Sequence, residues 1–75
     1  MASLRTILSA RIRLHQRRLD MSTPALIEKS GIKKTQLYRL KAGTVGATLD
    51  SVEKLAKAFV VDPFMLLVPV DTDDE

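Results

Sequence analysis

Five side chains able to bind something fall within seven consecutive residues: Lys33, Lys34, Thr35, Tyr38 and Arg39, inside the stretch SGIKKTQLYRLKAG from Ser30 to Gly43. Their chemistry is donation. An ammonium offers three N–H donors, a guanidinium five in a planar fork, and neither accepts a hydrogen bond. Such a group suits anionic oxygens and paired acceptors on a flat edge. The same stretch keeps only Ile32, Leu37 and Leu40 for a core, so most of its surface is left to the cations.

The residues that could do other chemistry are scattered. His15 is the sole histidine, in a basic stretch expected to face solvent. Asp71, Asp73, Asp74 and Glu75 crowd a terminus with no framework to fix them round a cation. Gly43 and Gly46 lack the lysine and helix of a phosphate-binding loop. No cysteine is present, which removes disulfides and thiolate metal sites and fits a reducing cytoplasm. The expectation is therefore no enzyme, no metal and no cofactor.

Charge is divided along the chain. Residues 1–43 carry ten Lys or Arg against Asp20 and Glu28, a balance of +8; residues 44–75 carry Lys54 and Lys57 against seven acids, a balance of −5, for a net charge of +3. The basic part points to a polyanionic partner, and the ending DTDDE reads as a solvated, disordered tail. Seventy-five residues make one domain, of a size that buries roughly 60% of its unfolded surface. No apolar run nears the roughly 18 residues of a membrane span. The arginines scattered through the start of the chain are unlike a secretory signal. An intact cytoplasmic protein, clear of membranes, is expected.

Apolar spacing is helical throughout. Leu4, Ile7, Leu8, Ile12 and Leu19 predict a first amphipathic helix ending near Asp20. Ser22 or Thr23 caps a second, with Pro24 in its first turn, Ala25, Leu26 and Ile27 on its apolar side, and Gly31 after it. Lys33 to Lys41 form the third, and the glycine-bearing GTVGAT is a loop. Thr48 caps a fourth, with Leu49, Val52, Leu55, Ala56 and Phe59 on one side. Asp62 and Pro63 start a fifth that holds Phe64 to Leu67 and is closed by Pro69, and LVPV has the composition of a short terminal strand. The expectation is an all-α domain of five helices over residues 1–70, with residues 71–75 as the tail.

Two short helices joined by a glycine turn form a helix-turn-helix. On MSTPALIEKSGIKKTQLYRLKAG and TLDSVEKLAKAF the chain resembles the lambda-repressor-like family, the repressor and Cro (XRE-type) regulators of phages and bacteria, from about Ile12 to Leu67. That resemblance implies a five-helix domain that binds double-stranded operator DNA and regulates transcription, most often as a repressor. The third helix, about Lys33–Lys41, would enter the major groove, with Lys34, Thr35 and Arg39 at base edges. Tyr38, outward on the helical wheel, either contacts a base methyl or phosphate or packs on a neighbouring lysine stem. Lys33 would touch phosphate. Further phosphate contacts are expected from Ser22 and Thr23 at the second helix, from Lys41, and from Thr44 and Thr48 around the following loop. Arg13, Arg17 and Arg18 extend the basic surface.

Two positions depart from the family pattern. An arginine in the first helix commonly pairs with an acid two residues before the loop glycine; Gln16 and Lys41 stand there instead, so Lys41 is expected to be free to face phosphate, with packing and a neutral hydrogen bond holding the first and third helices together. Val60 stands where many relatives have glycine, and a β-branched residue at positive φ is costly, so that turn is expected to adopt another geometry.

The segment Phe59 to Val70 holds nine large apolar residues in twelve, more than one short helix can turn inward. An outward patch there predicts a homodimer through Phe64, Leu67, Val68 and Val70, with Met65 and Leu66 divided between core and interface. The alternative is an antitoxin or adaptor whose main partner, such as a toxin, is another protein.

Overall fold

The computed structural model describes residues 3–69; Val70 and the acidic residues 71–75 lie outside the described residues. Four α-helices are present: α1 (Leu4–Arg18), α2 (Thr23–Ser30), α3 (Lys34–Ala42) and α4 (Leu49–Phe59). The expected fifth helix is instead a 3-10 turn over Pro63–Leu67. Five residues between two prolines leave no room for a second α-turn, and 3-10 geometry is the usual form of so short a piece. No strand occurs among the described residues, so LVPV does not pair up to Pro69. No helix among them is long and apolar enough to cross a membrane.

Three of the four α-helices begin where a side chain caps them. Ser3 Oγ accepts the Thr6 N–H, Ser22 Oγ the Ala25 N–H and Thr48 Oγ1 the Ser51 N–H, each one of the donors that a helix start leaves unpaired. Of the two residues considered for the second cap, Ser22 is the acceptor and Thr23 is the first helical residue. Asp62 caps the 3-10 turn in the same way. The α3 helix starts from Lys33 with no side-chain cap, which leaves its first amides to solvent or to a ligand.

A left-handed residue follows each α-helix. Gly31 (φ 74°) and Gly43 (φ 73°) adopt this conformation at no steric cost, and Asp20 (φ 50°), one residue beyond the α1 cap, is among the residues that tolerate it. Val60 adopts it too, at φ 58° and ψ 49°, with the Val61 N–H bonded back to the Ala56 carbonyl and its own N–H to the Lys57 carbonyl. The expectation of another geometry at Val60 is thus corrected. The double hydrogen bond that closes α4 holds the valine in place despite its branched Cβ.

Every element contributes to one core: Leu8 and Ile12 from α1, Leu26 from α2, Leu37 and Leu40 from α3, Val52, Leu55 and Phe59 from α4, and Leu66 from the 3-10 turn. Each such side chain stabilises the fold by about 1.5–3 kcal/mol relative to exposure. The α1 helix packs on α3 and the 3-10 turn, while α2 packs on α4. Three apolar residues expected inward, Leu4, Leu19 and Leu49, are exposed, because each sits at a helix end beyond its neighbours' reach. Leu14, which the stripe of α1 left out, is buried.

His15 is the larger correction. It is only 6% exposed rather than solvent-facing, and its ring centroid lies 5.3 Å from that of Phe59. Steps of four and three from Leu8 through Ile12 reach it, so it continues the inner stripe of α1. Its pKa is lowered by burial first, and then by the neighbouring charges of Arg11 and Arg18. Its Nε2 is buried without a hydrogen-bond partner among the described residues.

Candidate nucleic-acid interface

The α3 helix is attached by a narrow strip. Leu37 and Leu40 are buried in the core, and Gln36 Nε2 donates to Ser51 Oγ at 3.0 Å, tying α3 to the start of α4. At the far end, Ser9 Oγ of α1 and Arg13 Nη2 (3.0 Å) both donate to the Lys41 carbonyl. These anchors, spread along the helix, fix the axis of α3 and leave its remaining face outward. On that face Lys33, Lys34, Thr35 and Arg39 are exposed, and Tyr38 is 50% exposed.

Two concavities flank this face. One, of about 410 Å³, is lined by Lys33, Thr35, Gln36 and Arg39 of the α3 segment and by Val45 and Gly46 of the loop that follows. It joins three of the expected contact residues to a loop wall that spacing did not reveal. The other, of about 440 Å³, lies at the start of α2 and is lined by Arg13, Gln16, Arg17, Asp20, Met21, Ser22, Thr23 and Lys41. Cations and hydroxyls from three helices and their caps thus meet in one cleft, with Asp20 as its single acid among the described residues.

Lys41 is not the free cation expected from its position. It is half-buried, and its Nζ donates to Thr23 Oγ1 at 3.1 Å. Burial, and secondarily the Arg13 charge, lower its pKa. Gln16 supplies the expected neutral hydrogen bond in another place, since its Nε2 donates to the Met21 carbonyl (3.2 Å) and to Thr23 Oγ1 (3.4 Å) rather than to α3. Thr23 therefore joins α1, α2 and α3. Because its oxygen already accepts from two donors, its own proton is left to be given elsewhere. With a cation at both Lys41 and Arg13, and the Thr23 proton unassigned, the cleft suits an anion.

The remaining hydroxyls are more committed. Thr44 Oγ1 donates to the Arg39 carbonyl at 3.3 Å, extending the end of α3, and Thr48 Oγ1 caps α4 while pairing with Ser51 Oγ at 3.0 Å. Both residues are exposed. Ser22 is exposed as well, with its Oγ engaged as the α2 cap.

The expected interface residues lie apart from this face, on the 3-10 turn and just after it. Phe64 is exposed, Leu67 and Val68 are half-buried, and Val70 is outside the described residues. Leu66 belongs wholly to the core, and Met65 is exposed. Sequence reasoning missed Arg11. It is buried, and its Nε and Nη2 donate to the Val68 carbonyl (2.6 Å) and the Pro69 carbonyl (3.0 Å), pinning the end of the turn to α1. An arginine on an otherwise apolar helical stripe was the available signal.

The geometry has counterparts among known proteins. No curated protein sequence matches the chain. Among solved structures, a hypothetical transcription factor, NHTF, from Neisseria is similar at a TM-score of 0.84 and 27% identity, over 89% of this chain and 77% of that one. The family model described as the Cro/C1-type HTH DNA-binding domain matches residues 11–71. That span runs from the buried arginine of α1 past the 3-10 turn and includes the whole α2–turn–α3 unit, so the chain belongs to the Cro/C1-type helix-turn-helix DNA-binding family.

Proposed function

We propose that this chain is a sequence-specific transcriptional repressor that binds a near-palindromic operator as a homodimer. The observation that carries the reading is the division of α3: Leu37, Leu40, the Gln36 hydrogen bond and the bonds from α1 to the Lys41 carbonyl hold it, while Lys34, Thr35, Tyr38 and Arg39 stand outward at the start and middle of the helix. In the major groove Arg39 bonds guanine O6 and N7, Lys34 reaches the same acceptors of a neighbouring pair, and the Thr35 methyl fits thymine. Tyr38 meets a base methyl or a phosphate oxygen with its ring edge or hydroxyl.

Phosphates define the register. The α2 cleft takes one, with donors from Ser22, Thr23 and Lys41, and the depression beside α3 takes another near Lys33. Thr44 and Thr48 add contacts from the loop through their exposed side chains. The domain measures 30 × 24 × 19 Å, close to the roughly 34 Å between half-sites one helical turn apart, so two copies on one side of a duplex come within contact. Phe64, Leu67, Val68 and Val70 form the pairing surface. Repression then needs only occupancy of the operator.

Selection of bound sites from a random duplex pool tests this. Two inverted half-sites one turn apart are expected. A pool that shows no enrichment overturns sequence-specific binding, and a single asymmetric site overturns the dimeric mode. A second reading, an adaptor or antitoxin with a protein partner such as a toxin, draws on the outward apolar residues Val60 and Phe64, 88% and 68% exposed. A second protein that co-purifies with the chain in fixed ratio from native extract would favour it.

A further inference from the structure

We propose that each copy of the homodimer seats its Phe64 ring in an apolar groove of the other, between the start of α1, the start of α4 and the 3-10 turn. This rests on the homodimeric reading above and names the surfaces that meet. The groove encloses about 280 Å³ and is lined by Leu4, Leu8, Ala47, Leu49 and Leu67, with Arg5 as its one charged residue among the described residues. It is smaller than the roughly 300–1,000 Å³ of small-molecule sites, and it suits one large side chain. Leu4 and Leu49 on its rim are 63% and 79% exposed, so their hydrocarbon is uncovered within a single copy.

Phe64 and Leu67 are three residues apart on a 3-10 helix, where such positions lie one above the other. Leu67 lines the groove and Phe64 stands outward on the same ridge. A protruding ring and a cavity side by side on one surface are what a twofold interface requires, since each copy then gives the ring and receives it. Charge agrees with this pairing. Arg5 borders the groove from α1, while Asp50 and Glu53 follow Leu49 on the exposed side of α4, so a twofold axis sets the cation of one copy against the acids of the other. Gly46 lines both this groove and the depression beside Lys33, Thr35 and Arg39. Pairing here therefore keeps the two reading helices next to each other on one side of the dimer.

The test uses the full chain, which has no cysteine of its own. Leu49→Glu places an acid in the first turn of α4, where it is compatible with the helix dipole and an exposed position, so the circular dichroism should match that of the parent. Sedimentation equilibrium at micromolar concentration should show a parent dimer and at least about a tenfold weaker association of Leu49→Glu, a difference of about 1.4 kcal/mol. An equimolar mixture of Phe64→Cys and Leu49→Cys chains should form the mixed disulfide under mild oxidant faster than either chain forms its own. A dimeric parent whose Leu49→Glu variant associates as tightly, or preferential 64-to-64 cross-linking, overturns the groove pairing and leaves the homodimer reading in place. A parent that is monomeric both free and on operator DNA overturns both.

Discussion

The α3 helix and the Pro63–Leu67 turn are both lightly anchored, one by Leu37 and Leu40 and the other by Leu66, yet what they leave outside is opposite in kind. The first shows cations, the second hydrocarbon. Exposed ammonium and guanidinium groups are well solvated, so α3 needs no partner for stability; its crowded like charges repel one another and are relieved by a polyanion. An exposed phenylalanine beside an apolar groove gains no such solvation, and covering it is favourable in itself. One surface should respond steeply to ionic strength and the other, with only the Arg5–acid pairs at its edge, far less.

Salt gives the largest separation between the two. Each phosphate neutralised should lower DNA affinity by about 0.9 log unit per tenfold rise in salt. If six of Arg13, Arg17, Arg18, Lys33, Lys34, Arg39 and Lys41 take part, the fall over that tenfold rise is about five log units, whereas self-association measured over the same range should shift little. A self-association constant that falls as steeply as DNA affinity would break the comparison, because the pairing surface would then be held mainly by charge rather than by the Phe64 ring and its groove.

Arg39→Ala sharpens it at the level of one residue. The variant should lose about 1–3 kcal/mol on the selected site and relax the base choice at one or two positions, with self-association unchanged. An equal loss on every duplex, measured by titration against random sequence, would make Arg39 a phosphate contact instead. Lys34→Ala should behave alike at a neighbouring position.

The cost carried near the apolar end is smaller. Val60 holds a left-handed conformation that glycine adopts freely, and being almost fully exposed it has little packing to lose. Val60→Gly should therefore raise stability by about 1 kcal/mol, or the melting temperature by about 4–8 °C, without altering DNA affinity. Denaturant unfolding of both proteins measures it, and an unchanged or lower midpoint would show that the valine contributes packing that its exposure conceals.

The smallest effect lies between the two regions, at His15. Its folded pKa is below the ordinary value because burial disfavours the imidazolium and Arg11 and Arg18 repel it. The unfolded chain therefore binds the proton more readily, so stability is full above the unfolded value near 6.5 and declines as pH falls below it. Urea unfolding at pH 7.5 and 5.5 should show this decline, and His15→Phe should flatten it.

The order of helices, the cap at Thr48 and that of α2 to within Ser22 or Thr23, the glycine ends at Gly31 and Gly43 and the outward cations of α3 were all legible in the amino-acid sequence, because each depends on contacts within a turn or two of the chain. The same locality gave Leu37 and Leu40 their inward direction from spacing alone. What spacing could not decide is where a stripe meets another element. His15 lies on the inner side of α1 by its register, but only the approach of Phe59 from α4 buries it, and Arg11 is committed only because the end of the 3-10 turn brings two carbonyls to it. Lys41 reads as a free cation until Thr23 is brought to it from eighteen residues away. The groove between Leu4, Leu49 and Leu67 joins three separate segments and has no trace in any one of them. Local propensity acts over a few residues and can be read in order, whereas burial, partner choice and cavities arise between residues that only the folded chain makes neighbours.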